Sequence, residues 1–460
     1  MKISILSVFP EIYDSFIKIS LVDRAIKNGI VEFNLIRFSD LVEPKKRMDE
    51  PTCGPGVGMI IKPEVIQAAI EQSEKKWGPG FKVFFSAQGQ KIDQKILNTF
   101  VEEFVGNPLG GNVSKNTQHI ILVCARYEGI DDRVEQHYAD LVLSIGDYVL
   151  MGGDLPAQVF IEAFLRLISG VVGKTESVEK ESFQTPFLDY PQFGLPKEWK
   201  GEQIPEILLS GDHAKIENWR KEQSCEKTLL NRFDWLRSQE LTRAVVDLCN
   251  KFIPNHYVAL MHTDVIVNNK SGNTSITSLD IHDIARSGKT YGIKNYFVVT
   301  KIEDQLKILK EFLNFWLSDI GKEYNLSRYQ AVERVLPARS LDDVIKQIRE
   351  KEGTDPIIIT TSAKDFEHKE KIDFNSQGLV WKQKKPVLFL FGTGQGLSDE
   401  ILQRSDYLLL PIEGLTDYNH LSVRSAAAII MDRFLGLQPK KTYIEQLKKR
   451  LKVSDIKINK

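Results

Sequence analysis

Glycines set where apolar runs stop give this chain its first chemical signature. Ile121-Leu122-Val123-Cys124 and Leu141-Val142-Leu143 read as buried strands, each ending abruptly in a polar, glycine-containing loop. The second loop carries Gly146, Gly152 and Gly153. Pro156 then precedes an amphipathic helix with Phe160, Ala163, Phe164, Leu167 and Ile168 on its apolar face. Without a Cβ, such positions let main-chain N–H and C=O groups approach a flat ligand. Loops at the carboxyl ends of strands are the ligand sites of open α/β sheets. The chemistry implied is a pocket built largely of backbone, suited to reading the edge of an adenine or a similar ring. The plainer alternative is a pair of tight turns.

The arrangement occurs twice. From Val387 the chain reads VLFLFGTGQGLSDEILQRSDYLLLPIEGLTDYNHLSVRSAAAIIMDRFLG. A buried strand is followed by a loop with Gly392, Thr393, Gly394 and Gly396, and a further apolar strand ends at Leu408-Leu409-Leu410. A polar loop with Ile412, Gly414, Leu421 and Ser422 leads into a helix of small residues, Ser425 to Ile429. The same order of elements with little identity points to two related α/β units in one chain.

The elements that must position these loops follow the same pattern. Ile3–Val8, Val31–Phe38 and Val83–Ser86 read as strands of the first unit, with Ser86–Gln90 as a terminal loop. Tyr257–Met261, Tyr296–Thr300 and Pro356–Thr360 read as strands of the second, with a long helix from Ile302 to Leu317. Residues 188–252 read as helical. A length of 460 residues supports two or three domains with substantial cores. Apolar content of 42% and charged content of 27% are those of an ordinary soluble protein, and no apolar stretch is long enough to span a bilayer. MKISILSVFPEIYDSF reads as a first strand and not a signal peptide. Cys53, Cys124, Cys225 and Cys249 form no CxxC pair and have no His at metal-ligand spacing, which fits a reduced cytoplasmic protein without structural zinc. A net charge of −1 gives no global signal for RNA, so any RNA surface must be local.

At this point a resemblance becomes specific. SILSVFPEIYDSF (4–16), SAQGQ (86–90), RYEGIDDRV (126–134), SIGDYVLMGGDLPA (144–157), ESFQTPFLDYP (181–191, through ESF and FLDYP) and LLSGDHAKIENWR (208–220) resemble, in order, the bacterial tRNA (guanine-N1)-methyltransferases of the SPOUT class. The stretch from about 254 to 437 resembles a second SPOUT-type RNA methyltransferase domain, through FGTGQGL and LPIEGLTDYNHLSVRSAAAII. The resemblance implies an α/β fold: a SPOUT-type parallel sheet with a deep C-terminal trefoil knot, a small helical domain, then a second SPOUT-like domain. The expected divisions are a methyltransferase domain over 1–172, a flexible linker over 173–187, a helical tRNA-binding domain over 188–252, the second domain over 253–437 and a basic tail over 438–460.

The activity implied is methyl transfer from S-adenosylmethionine to N1 of the guanosine just 3′ of the tRNA anticodon, position 37, with no covalent intermediate. The implied donor-binding residues are Ser86, Gln88, Ala125, Tyr127, Glu128, Gly129, Ile145, Gly146, Asp147, Tyr148, Val149, Leu150, Gly152, Gly153 and Pro156. The resemblance gives Arg166 the task of steadying charge on the guanine and places the general base in the linker, acting on a partner subunit's donor. It also implies magnesium as a helper ion, the tRNA anticodon stem-loop as partner and a homodimer with a shared site. For the second domain the donor candidates are Gly392, Thr393, Gly394, Gly396, Leu410, Ile412, Gly414, Leu421 and Ser422.

The chain departs from the family pattern in three places. Glu181 stands before Ser182-Phe183 where the family has aspartate. A carboxylate of similar acidity keeps the chemistry, but one extra methylene changes its reach. Glu181 is the expected base, with Glu179 as the alternative. Cys53 and Pro55 interrupt a loop that is normally a tyrosine followed by glycines, and Ala125 replaces a glycine.

Several readings remain double. Lys45, Lys46 and Arg47 beside that loop either grip phosphate or belong to a solvated turn. Arg220 and Lys221, among Trp219, Phe233 and Trp235, suit an RNA-gripping surface, with the aromatics mostly core. Glu128 is either buried against donor amines or the cap of a helix near Asp131. Asp283, Arg286 and Lys289 either face RNA or pair among themselves. Asn419, His420, Ser422 and Arg424 are polar candidates of the second site, where no base stands out. Two further functions stay open: methylation of another RNA site, and RNA binding without catalysis by degenerate SPOUT units.

Overall fold

The computed structural model describes all residues except 56–57, 106–118, 173–180, 364–365, 368–369 and 439–460. Glu179 and nearly all of the basic tail therefore lie outside the described residues. The chain forms two compact units, Met1–Thr185 and Pro186–Lys440.

The first unit is a five-stranded sheet of β1 (Lys2–Ser7), β2 (Glu32–Arg37), β3 (Phe81–Lys91), β4 (His119–Val123) and β5 (Leu141–Ser144) in the order β2-β1-β4-β3-β5. Every pairing is parallel. Parallel strands covered on both faces need continuous apolar runs. Accordingly, all five residues of β4 are buried. One face packs Phe100, Phe160 and Phe164, whose rings meet edge-on between two helices, Gln94–Phe104 and Asp154–Leu165. The other face packs Ile66, Ala69 and Ile70 of the helix Pro63–Trp77. β3 runs on through Lys91, past the end expected at Ser86, because a register shift between Phe85 and Gln90 lets it pair again with β5.

The second unit holds a seven-stranded parallel sheet. Its strands are β6 (His256–Met261), β7 (Asn295–Val299), β8 (Val335–Ala338), β9 (Ile357–Thr361), β10 (Lys371–Ile372), β11 (Val387–Gly392) and β12 (Tyr407–Leu409). The order is β8-β7-β6-β11-β9-β12-β10. The long helix spans Glu303–Trp316.

Residues 188–252 are helical only from His213 onward, in three helices: His213–Asn231, Phe233–Arg237 and Arg243–Cys249. Before them come only a two-residue hairpin, Glu198–Trp199 with Glu202–Gln203, and one short 3-10 turn. Pro191, Gly194, Pro196, Gly201, Pro205 and Gly211 leave no run long enough for a helix. Cys225, Leu229, Phe233, Leu236 and Leu248 share one buried cluster with Val258, Leu260, Trp381 and Phe389 of the second sheet and its cover.

Candidate active site

The first site is built where β4 and β5 end. Beyond Val123 the chain turns through Ala125–Gly129, and beyond Ser144 through Ile145–Gly153. The two turns meet main chain to main chain. Gly153 N donates to Ala125 O at 2.7 Å, and Arg126 bridges Gly152. This approach dictates the residue types. A Cβ on Gly153 would lie 2.9 Å from Cys124 Cα, and one on Gly152 would lie 2.9 Å from Ala125 O, with no flexible atom in between to yield. Tyr127 accepts a left-handed backbone, φ 61°, to complete the first turn.

Between the turns lies a cavity of about 270 Å³. Of the expected donor residues, Ser86, Ala125, Tyr127, Glu128, Gly129, Ile145, Gly146, Tyr148, Val149, Leu150, Gly152, Gly153 and Pro156 line it. Gln88 and Asp147 are not in the lining. Gln88 instead donates to Glu135 at 2.7 Å, and Asp147 pairs with Lys91. Phe85, Ala87, Arg126, Leu143 and Ser144 also line the cavity and were not legible as site residues, because they sit inside strands or look like an ordinary exposed arginine. Glu128 is exposed and so does not need buried donors. The helix cap near it is Asp131, which accepts from Arg133 N. The backbone of Glu128 is held instead by the hairpin Asp49–Pro51/Met59–Ile61, through Glu128 N to Met59 O at 3.0 Å.

Under the cavity wall sits a buried polar centre. Asp154, 1% exposed, accepts Ser7 Oγ at 2.6 Å, Tyr13 OH at 3.3 Å and Arg126 Nε at 3.3 Å. Three donors, one of them a guanidinium, satisfy a carboxylate that burial alone would make costly. Burial, with help from Cys124 and Asp154, pushes the Tyr13 hydroxyl far up. Burial likewise pushes the Cys124 thiol up. Cys124 is therefore a core thiol and no nucleophile.

Arg166 caps the C-terminus of the helix Asp154–Leu165. Its guanidinium grips Glu181 twice, Nη1 to Oε2 at 2.6 Å and Nη2 to Oε1 at 2.8 Å. The Glu181 contact raises the Arg166 pKa above its ordinary value. Neither residue lines the cavity formed by its own chain.

The basic candidates are placed as follows. Lys46 pairs with Glu43 at 2.7 Å, and Lys45 sits at φ 72°. Arg47 holds Asp49 through contacts of 2.9 and 3.2 Å, which keeps that carboxyl below its usual range. In the second unit Arg220 lies over the Tyr190 ring at 4.6 Å, while Lys221 is exposed. Nearby in sequence, Trp199 at the hairpin is 64% exposed, with Lys200 Nζ over its ring at 4.8 Å.

The second glycine set also surrounds a cavity, of about 840 Å³. Gly392, Thr393, Gly394, Gly396, Leu410, Ile412, Leu421 and Ser422 line it, and Gly414 is not in the lining. Asn419 and His420 join them, as do Thr274, Asp280 and Asp417, which sequence reasoning missed. Asp283 pairs with Arg424 and Lys289 with Glu333.

Comparison with known proteins matches both halves. The family model described as tRNA (Guanine-1)-methyltransferase TrmD covers residues 1–238, and that of a SAM-dependent RNA methyltransferase covers 255–436. A tRNA (guanine-N(1)-)-methyltransferase of Nitratidesulfovibrio vulgaris is 36% identical over 446 residues, 95% of this chain and 99% of the relative. A protein of the same name from Thermosipho melanesiensis is 38% identical over 260 residues, 55% of this chain and 99% of its own. The tRNA (m1G37) methyltransferase structure from Aquifex aeolicus is 30% identical and covers 48% of this chain and 87% of that one, at a TM-score of 0.39. The class is thus that of RNA methyltransferases. Within it, the chain belongs to the tRNA (guanine-N1)-methyltransferase family.

Proposed function

We propose that this chain transfers a methyl group from S-adenosylmethionine to N1 of the guanosine 3′-adjacent to the anticodon, position 37, of tRNA. The observation that carries the proposal is the close main-chain meeting at Gly153 N–Ala125 O. It brings main chain into the cavity lining at Ala125, Gly152 and Gly153, where the two glycines present no Cβ to a ligand. That main chain fits an adenine ring, and the small lining residues leave room for a folded nucleoside. Bound there, the donor supplies an electrophilic methyl carbon on a sulfonium.

The residues of the chain supply the rest. Guanine N1 is a weak acid, so Glu181 takes its proton while Arg166 faces the negative charge that spreads onto the ring. Before the substrate arrives, the two neutralise each other. Entry of the base parts them, and each then meets the group it is suited to. Both stand outside the cavity of their own chain, which supports a homodimer in which each subunit serves its partner's donor. The surface for that partner is apolar: Val149 is 93% exposed and Met151 84%, followed by Leu155 and Val159 one helical turn apart.

The remaining expectations join this reading. The turns after β4 and β5 are the crossings of a trefoil knot. The helices from His213 and the hairpin at Trp199 hold the anticodon stem-loop, and the second cavity takes a donor of its own. The divisions expected at 172, 187, 252 and 437 are read as functional boundaries within the two compact units, with the helical segment sharing the core of the second unit. No helix among the described residues is long and apolar enough to cross a membrane, and the chain works in the cytoplasm beside its tRNA. Among the described residues no group of three or more His, Cys, Asp or Glu side chains is placed to hold a metal, and no step proposed here uses magnesium.

The test is a transfer assay with labelled donor on defined tRNA transcripts carrying guanosine or adenosine at position 37, followed by nucleoside analysis. The expected product is N1-methylguanosine from the first transcript alone. Equal labelling of both transcripts would overturn the assignment.

A further inference from the structure

The second cavity contains a carboxylate that the reading above leaves without a task. Asp280 stands in the first turn of the helix Ser278–Thr290 and lines the cavity together with the glycine loop. Its side chain is 13% exposed. Thr277 Oγ1 donates to Oδ2 at 2.6 Å, and Arg424 Nε faces Oδ1 at 3.3 Å. The other arm of Arg424 reaches Asp283 at 3.3 Å. Arg424 itself belongs to the first turn of the helix Val423–Leu435, which follows the second ligand loop. Asp280 thus lines the second cavity and pairs with an arginine from outside its lining, whereas Arg166 and Glu181 both stand outside the first cavity of their own chain.

Space and support distinguish the second pair. At about 840 Å³ against about 270 Å³, the second cavity has room for a donor and an acceptor ring together within one chain. Asp417 and His420 also line it, but both are exposed on the loop before the helix. Asp280 is anchored on a helix by its own capping hydroxyl, the rigid mounting that proton transfer needs. Its contacts with Arg424 are longer than the 2.6 and 2.8 Å of Arg166 with Glu181, so less has to be broken when a substrate enters.

We propose that this cavity is a second methyl-transfer centre acting on a ring N–H of an RNA base, with Asp280 as the base and Arg424 as the cation facing the developing anion. The proposal rests on the reading that the cavity binds the same donor. The ring proton passes to the Asp280 carboxylate. The nitrogen lone pair forms the new N–C bond to the donor's methyl, and the C–S electron pair stays on sulfur, leaving the neutral thioether.

The experiment uses the full chain with the first centre silenced by Glu181→Gln and Arg166→Ala. Equilibrium dialysis with S-adenosylmethionine counts donors per chain. Labelled methyl incorporation into total cellular RNA, followed by nucleoside analysis, reads transfer. Two donors per chain are expected, with residual incorporation on a ring nitrogen that Asp280→Asn lowers at least tenfold while both donors stay bound. One donor per chain would overturn the donor reading of the cavity itself. Two donors with no ring-nitrogen product, or with a product that Asp280→Asn leaves intact while His420→Asn removes it, would overturn the role of Asp280. If Asp280→Asn loses the second donor, Arg424→Lys decides: at least a fivefold loss with two donors bound supports the centre, and unchanged transfer overturns it.

Discussion

Arg166 and Glu181 hold each other through two contacts, 2.6 and 2.8 Å, across fifteen residues of chain, while each side chain stays more than a third exposed. A pair this open to water contributes little to stability. Its removal should therefore register in the reaction alone. Glu181→Gln is expected to lower turnover at least a hundredfold, to leave donor affinity within about threefold and to change folding stability by less than about 0.5 kcal/mol. A variant that keeps more than about a tenth of the wild-type rate would remove Glu181 from the mechanism.

Gly153 has an ordinary helical backbone, so the effect of a side chain there is purely one of space. Gly153→Ala sets a methyl 2.9 Å from Cys124 Cα, and the two turns must separate. A loss of at least tenfold in donor affinity is expected, together with a cost of about 1–3 kcal/mol to the first unit. Calorimetric titration with S-adenosylmethionine and a denaturant melt measure the two effects separately.

Asp154 is the most committed buried charge of the first unit, since three side-chain donors converge on it. Asp154→Asn places an amide N–H₂ among groups that themselves donate, and leaves Arg126 without its partner. The expected loss is about 2–4 kcal/mol in urea unfolding. Ser7→Ala, which removes one donor only, should cost about 1 kcal/mol.

His256 is 3% exposed and its Nε2 accepts from Trp381 Nε1 at 3.1 Å. Burial pulls its pKa down to about 4. Between that value and about 6.5 the unfolded chain binds a proton that the folded one refuses. Stability is therefore complete above about pH 6.5 and falls as the pH drops toward 4, by on the order of 3 kcal/mol for this group. His256→Gln, which keeps an acceptor for Trp381, should flatten the slope between pH 7 and 4.5 when urea midpoints of the second unit are compared.

Trp199, exposed and carrying Lys200 over its ring, offers a stacking face beside a cation. Trp199→Ala is expected to raise the KM for tRNA about five- to tenfold with donor affinity and stability unchanged, and Trp199→Phe to restore most of the loss. A KM that does not move would take the hairpin out of the RNA surface.

Most of the two sheets was legible because parallel strands buried on both faces leave unbroken apolar runs, such as Ile120–Val123 and Val387–Phe391. The glycine turns were legible for the same reason in reverse, since Gly152 and Gly153 interrupt such runs where nothing larger fits. Long-range pairings were not. Asp154 reads as a helix-starting acid, and nothing local in the sequence shows that Ser7, Tyr13 and Arg126 come to it from three other segments. Asp280 likewise reads as a helix N-terminal acid, and although Arg424 is legible as a polar candidate of the second site, nothing local pairs it with a residue 144 positions away. The strand Val335–Ala338 escaped notice because Pro337 breaks its pattern, which an edge position tolerates.

The meeting of Gly153 N with Ala125 O has a pharmacological side. A competitor that binds the first cavity through main-chain amides depends on atoms that every substitution short of proline retains. Resistance there cannot come from deleting a contacting side chain. It must come from added bulk, and at Gly152 and Gly153 the bulk that would evict the drug would also force apart the turns on which the protein's own cofactor depends.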